Sequence, residues 1–102
     1  MKRGELWLAD VDQKKRPVLI LTRSEVIDVR ALVTVAEVTT TVRGLASEVH
    51  FDHLGSGLAQ PSVINCDGIH TVNQSVLTGP IGSVGATVMA DVCSAVNYSI
   101  GC

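Results

Sequence analysis

Aromatic side chains are nearly missing from this chain: Trp7, Phe51 and Tyr98 are the only three in 102 residues. Binding single strands through a series of stacked bases needs more platforms than that, so such an array is excluded and Trp7 reads as a core residue. Basic residues are missing as well, but only from one part. All eight Lys and Arg lie in residues 1–43 beside six acids, a balance of +2, whereas residues 44–102 carry four acids and no Lys or Arg, a balance of −4. The net charge of −2 taken alone speaks against a polyanionic partner. The segregation reverses that impression, because screening limits useful attraction to about 8–10 Å and a local basic face acts on its own. Lys2, Arg23 and Arg30 read as ordinary solubilising charges.

Cysteine is scarce too. Cys66, Cys93 and Cys102 are too few and too scattered for a disulfide framework, which points to a reducing cytoplasm. No run approaches the roughly 18 apolar residues of a membrane span, and no basic segment followed by an apolar stretch marks a signal peptide. The expectation is a cytoplasmic protein with no membrane association. Cys66 and His70 give two potential zinc ligands with no second pair, and His50 and His53 sit in loop-like sequence, so neither a metal site nor a cofactor is expected.

What is present suits one compact domain over residues 1–102, with 46% apolar residues for its core. Glu5–Val11 alternates, with Leu6 and Leu8 on one face and Trp7 and Ala9 on the other. Pro17–Thr22 is continuously apolar and reads as a central strand, in need of cover from a partner subunit. Residues 24–30 suit a turn of helix. The next strand sets Val33, Val35, Glu37 and Thr39 on one side and Leu32, Thr34, Ala36 and Val38 on the other. Leu45–Phe51, Ser62–Asp67 and Ile69–Val72 are further strand candidates; Val63, Asn65 and Asp67 share a face.

Gly79-Pro80-Ile81-Gly82 interrupts the strand pattern, and helical spacing follows. Val88, Val92, Ala95 and Val96 form one stripe flanked by Met89, Cys93 and Ile100, with Ser83 or Gly85 as N-cap and Gly101 at the end. Its many β-branched residues make it a poor isolated helix that needs packing. The expected fold is mainly β with a C-terminal helix (α+β), five or more short strands forming a small SH3-like barrel.

The functional clue is the junction Lys14-Lys15-Arg16-Pro17, where positive charge is fixed at the mouth of the apolar strand. A guanidinium stays charged and presents a planar fork of donors that fits a phosphate. Pro17 biases Arg16 toward extended backbone and so aims it. The plain alternative is an ion pair with Asp10 or Asp12. About twenty residues on, Thr39-Thr40-Thr41-Val42-Arg43-Gly44 closes a second strand; Thr also favours strand ends for no chemical reason.

Arg3-Gly4-Glu5-Leu6-Trp7-Leu8-Ala9, Arg16-Pro17-Val18-Leu19-Ile20-Leu21-Thr22, Val35-Ala36-Glu37-Val38-Thr39 and Gln60-Pro61-Ser62-Val63-Ile64-Asn65-Cys66-Asp67, in that order, resemble the MazF/PemK toxins over nearly the whole chain. The resemblance implies a MazF/CcdB-like barrel, a homodimer, a single-stranded RNA substrate cut without metal, and a cognate antitoxin partner. It matches Arg16 and Thr39 to the positions acting at the scissile phosphate. Lys14, Lys15, Thr40, Arg43, Asn65 and Asp67 complete the expected RNA-contacting set.

The chemistry is also arguable from the residues. Attack of a ribose 2′-OH on its own phosphate builds negative charge on phosphoryl oxygens, where Arg16 supplies charge and donors and Thr39 a further hydrogen bond. Some members of the family use a carboxylate at the position of Asp67 near the 2′-OH and carry an arginine where Asn65 stands. The loop Asp12-Gln13-Lys14-Lys15 is shorter than in many members, and Glu37, where a proline is common, lies on Thr39's face, where it could pair with Arg16 and lower phosphate affinity. Two alternatives remain: a gyrase-poisoning toxin on the same fold, disfavoured because the sole Trp is at position 7 rather than near the C-terminus, and an inactive barrel that only binds RNA or protein.

Overall fold

The computed structural model describes residues 1–102, the side chain of Val11 excepted. In chain order it forms β1 (Glu5–Val11), β2 (Lys14–Ile20), α1 (Ser24–Ile27), β3 (Leu32–Thr39), β4 (Glu48–His50), β5 (Val63–Asn73), a 3₁₀ turn over Gln74–Val76, β6 (Leu77–Ser83) and α2 (Ala86–Ile100). The strands make one sheet in the order β4-β5-β3-β2-β1-β6, and every neighbouring pair is antiparallel.

The β1–β2 hairpin turns on two residues only. Asp12 and Gln13 have φ of 49° and 66°, consecutive left-handed conformations whose twist matches that of flanking strands. Pairing therefore resumes at once, with Val11 opposite Lys14 and Ala9 opposite Arg16. The first loop is thus shorter than the four residues read from the sequence, and the basic triplet belongs to β2 itself.

Two other strands differ from expectation. Ser62–Asp67 and Ile69–Val72 are one strand, β5, broken by a bulge: Glu37 pairs with Asn65 while the adjacent Ala36 pairs with Ile69. Residues 66–68 are the excess, and an insertion of this kind bends a strand without ending it. Gly79-Pro80-Ile81-Gly82 lies inside β6, not at an interruption. β6 is an edge strand that needs donors toward β1 alone, so the missing N–H of Pro80 is tolerated there. Of the candidate Leu45–Phe51, only Glu48–His50 joins the ladder.

The sheet has two clad faces. On one, Leu6, Leu19, Ala36, Val38 and Ile64 pack with Val92 and Ala95 of α2. The helix begins after Gly85 and ends at Gly101, whose left-handed backbone donates to Asn97 and Tyr98 carbonyls. It is pinned by the Ser99 hydroxyl on the Cys66 carbonyl (2.8 Å) and by Arg3, which donates to Leu21 O and Cys93 Sγ. On the other face Ala9, Val18, Ile20, Val33, Val35 and Leu77 meet Ile27 of α1, with Trp7 packed against them. Val18, Leu19 and Ile20 are 5%, 0% and 0% exposed. The expectation that a partner subunit must cover this strand is therefore corrected: the chain covers it with its own two cores.

The sheet is curved but not closed, since β4 and β6 end it without pairing to each other. What bridges them is the loop after β4. Its Ser56-Gly57 backbone lies so close to Ile81-Gly82 of β6 that a Cβ on Gly57 or Gly82 would overlap backbone oxygen, and Gly57 also has a φ of 96°.

Candidate active site

The open end of the second face holds a cleft of about 640 Å³. Its floor follows from register. Val18 of β2, Glu37 of β3 and Asn65 of β5 form one row across the sheet. Alternation then sets Arg16 and Thr39 on the same face two residues to one side. Val35 and its partner His70 make the row on the other side. The bulge turns Asp67 into the same space, the loop before β4 adds Thr41 and Arg43, and Glu48 comes from the first position of β4.

Of the residues expected from sequence, Arg16, Thr39, Arg43, Asn65 and Asp67 meet in this cleft. Lys14, Lys15 and Thr40 are exposed outside its wall. Glu37 does not pair with Arg16. Its carboxylate takes the His70 Nε2 at 3.2 Å and fills the space over Gly68, where a side chain would collide with it. Neither Asp10 nor Asp12 pairs with Arg16: among the described residues the His70–Glu37 approach is the single contact between a basic and an acidic side chain within 4 Å.

The carboxylates of the cleft outnumber its guanidiniums, yet most are already engaged. Asp67 accepts the Ser47 hydroxyl at 2.5 Å, and its own N–H donates to the Asn65 side-chain oxygen at 3.1 Å. Glu48 is wrapped by the consecutive backbone N–H groups of Arg43, Gly44 and Leu45 at 2.8–3.2 Å. Desolvation pushes the Glu48 carboxyl up, but these three donors together with the Arg43 charge outweigh it and hold it below its ordinary value. The same wrapping is why residues 43–45 do not extend β4: their donors are spent on a side chain. Beneath the cleft, burial, with smaller contributions from Asp67 and Cys93, pushes the Cys66 thiol up to about 11.

Among the described residues the Arg16 and Arg43 guanidiniums make no hydrogen bond or ion pair within the chain. Thr39 is oriented, because its Oγ1 accepts the Thr41 N–H at 3.1 Å and leaves the hydroxyl proton to donate outward. Two fixed positive forks and an aimed hydroxyl over a concave floor suit a phosphodiester. No group of three or more His, Cys, Asp or Glu is placed to hold a metal ion among the described residues. Sequence reasoning left out His70, Glu48 and Thr41. His70 was hidden by the bulge, which breaks the two-residue alternation, and Glu48 carries no signal beyond the Arg43-Gly44 turn before it.

The PemK-like, MazF-like toxin model of type II toxin-antitoxin systems matches residues 2–100. A probable endoribonuclease MazF2 of Mycobacterium tuberculosis is 35% identical over the full length of both chains, 102 residues aligned. The structure of M. tuberculosis toxin MazF-mt6 superposes with a TM-score of 0.89 at 41% identity, covering 95% of this chain and 96% of that one. An endoribonuclease solved with its cognate antitoxin, from a mycobacterial species, gives 0.88 at 25% identity over 99% and 95% of the two chains.

Proposed function

The chain belongs to the PemK-like, MazF-like toxins of type II toxin-antitoxin systems, and on that premise we propose that it is an endoribonuclease whose open cleft cuts single-stranded RNA until a cognate antitoxin covers it. The observation that carries this reading is the pair of unpartnered guanidiniums, Arg16 and Arg43, beside the oriented Thr39 hydroxyl in one cleft. The 2′-OH 5′ to the scissile bond attacks its phosphorus, and charge grows on the phosphoryl oxygens. Arg16 meets that charge with fixed donors, Thr39 adds a hydrogen bond, and Arg43 with Asn65 holds flanking phosphate or base edges. Lys14, Lys15 and Thr40, outside the wall, continue the track along the strand. Because the nucleophile is part of the substrate and the charge is met by side chains, no step calls for a metal.

The working form is a cytoplasmic homodimer. No helix is long and apolar enough to cross a membrane, and Leu54, Tyr98 and Ile100 remain 71%, 68% and 62% exposed, apolar surface available to a second copy or to an antitoxin. Cleavage of total RNA in EDTA, leaving 2′,3′-cyclic phosphate and 5′-OH ends, is the expected result. An RNA carrying a single 2′-deoxy substitution at the cut should bind nearly as well and stay intact, since one hydroxyl is a small part of a phosphate-dominated affinity. Efficient cutting of that substrate, or activity lost in EDTA and restored by magnesium, would mean that water attacks instead.

A further inference from the structure

Phosphate suits the Arg16 side of the cleft and not the β5 side, where Asp67 and Glu37 both line the wall and like charge repels a phosphoryl oxygen. What a carboxylate accepts from a nucleotide is a hydrogen, from a sugar hydroxyl or from a base. Two hydrogen bonds set how Asp67 is presented. The Ser47 hydroxyl, on a residue 2% exposed, donates to Asp67 Oδ2 at 2.5 Å. Oδ1 has no partner within the chain among the described residues. The Asp67 N–H donates to Asn65 Oδ1 at 3.1 Å, which fixes the way the amide faces and leaves Nδ2 as a donor. Gly68 puts no side chain over that nitrogen: a Cβ there would stand 3.1 Å from it.

We propose that Asp67 and Asn65 read one base of the substrate, that this base carries an exocyclic amine and that uracil is rejected, with Ser47 as the positioning residue of the pair. This rests on the RNA-cleaving role given to the cleft. Asp67 Oδ1 accepts one N–H of the amine, and Asn65 Nδ2 donates to the ring nitrogen next to it, a pairing of acceptor and donor that carboxylates and amides make with base edges. Cytosine, adenine and guanine all offer an amine beside such a nitrogen. Uracil has carbonyl oxygens on both sides of its N3–H, so the carboxylate meets lone pairs where the amine would be. A sugar hydroxyl would engage Oδ1 alone and leave the Asn65 donor idle.

Register puts the pair within one nucleotide of the scissile chemistry. Asn65 lies opposite Glu37, and the next cleft-facing residue of β3 is Thr39. One strand across and two residues along is about 8 Å by ordinary sheet spacing. A base stands off its own phosphate by a similar span, and in a single strand its edge is open to reading.

Oligonucleotides spanning a cut mapped in total RNA, with each flanking position varied among C, A, G and U, test the assignment. At one position wild type should lose about 5- to 100-fold in kcat/KM when uracil replaces an amine-bearing base. Which of the three bases is taken identifies the source of the amine, and the same base lacking only its amine should reproduce the loss. In Asp67→Asn the ratio between the amine and uracil substrates should collapse toward one. Ser47→Ala should lower that ratio and Ser47→Thr, which keeps the hydroxyl, should restore it; partial unfolding leaves a ratio unmoved because both substrates meet the same folded fraction. Wild type indifferent to the amine at every position overturns the proposal. So does an Asp67→Asn that slows all substrates by one factor, since the carboxylate then acts on the sugar hydroxyl. If wild type cuts no RNA, the endoribonuclease reading fails by itself, and relative affinity for the same uncut oligonucleotides still decides whether an amine is preferred.

Discussion

β3 shows two regions of the molecule on a single strand. Ala36 and Val38 point toward α2 and are 0% and 6% exposed; Glu37 and Thr39, one residue away in each case, point into the cleft, the first exposed and the second half-buried. On the α2 side the packing is mainly apolar and the helix lies across the sheet. On the cleft side α1 is only four residues long and covers the far end, so polar groups stand over the floor without a lid. Alternation thus separates the labour residue by residue: one face holds the fold together and the other keeps groups available for chemistry. Substitutions on the two faces should have different signatures, not merely different sizes.

The largest effect is expected on the closed face. Ile64 is fully buried, and Ile64→Ala should cost about 2–5 kcal/mol of stability through reduced burial and a cavity. Denaturant titration reads the loss, while activity per folded molecule stays near wild type. Next comes the cleft. Arg16→Ala should lower the rate about 10²- to 10³-fold with little change in RNA affinity or melting temperature. A melting loss as large as that of Ile64→Ala, or an unchanged rate, would erase the distinction between the faces.

That distinction was legible in the sequence wherever alternation ran unbroken. The two faces of β1 and β3, the stripe of α2 and its Gly85 and Gly101 ends, and the meeting of Arg16 with Thr39 all follow from periods of 2 and 3.6. Legibility failed where backbone pairing departed from those periods. The bulge at residues 66–68 fused two expected strands and concealed His70. Edge pairing let Pro80 sit within a strand, and the Glu48 carboxylate drew residues 43–45 out of β4. Each depends on which backbone donors find partners in three dimensions, and residue order does not state that.

A smaller effect should sharpen the boundary of the cleft. Lys14 and Lys15 stand outside its wall, so Lys14→Glu with Lys15→Glu should leave the single-turnover rate near wild type and weaken binding. For every phosphate that the variant no longer neutralises, the plot of log affinity against log salt should become shallower by about 0.7 for a single strand. An antitoxin presenting carboxylates to the same track should weaken alongside the RNA. Should its affinity ignore both the charge reversal and salt, the two ligands do not share the groove.

The smallest effect concerns the loop that forms the cleft's rim. Glu48 is a half-buried residue whose carboxylate is held by the N–H groups of Arg43, Gly44 and Leu45, with its folded pKa below the ordinary value. A depressed carboxylate contributes stability above its unfolded pKa, about 4.3, and loses that contribution as pH falls through the folded value. Glu48→Gln removes the charge while keeping an oxygen that still accepts. Wild type should therefore melt slightly higher than Glu48→Gln near pH 7, and the gap should narrow steadily below about pH 4.3 as wild type becomes protonated. Solvent screening keeps the gap small, so the test is its pH dependence more than its size. Thermal melts of both proteins from pH 3 to 7 decide the matter: a gap that stays constant or widens in acid would mean that the three backbone donors do not favour the charged form, and that the rim holds its shape by other interactions.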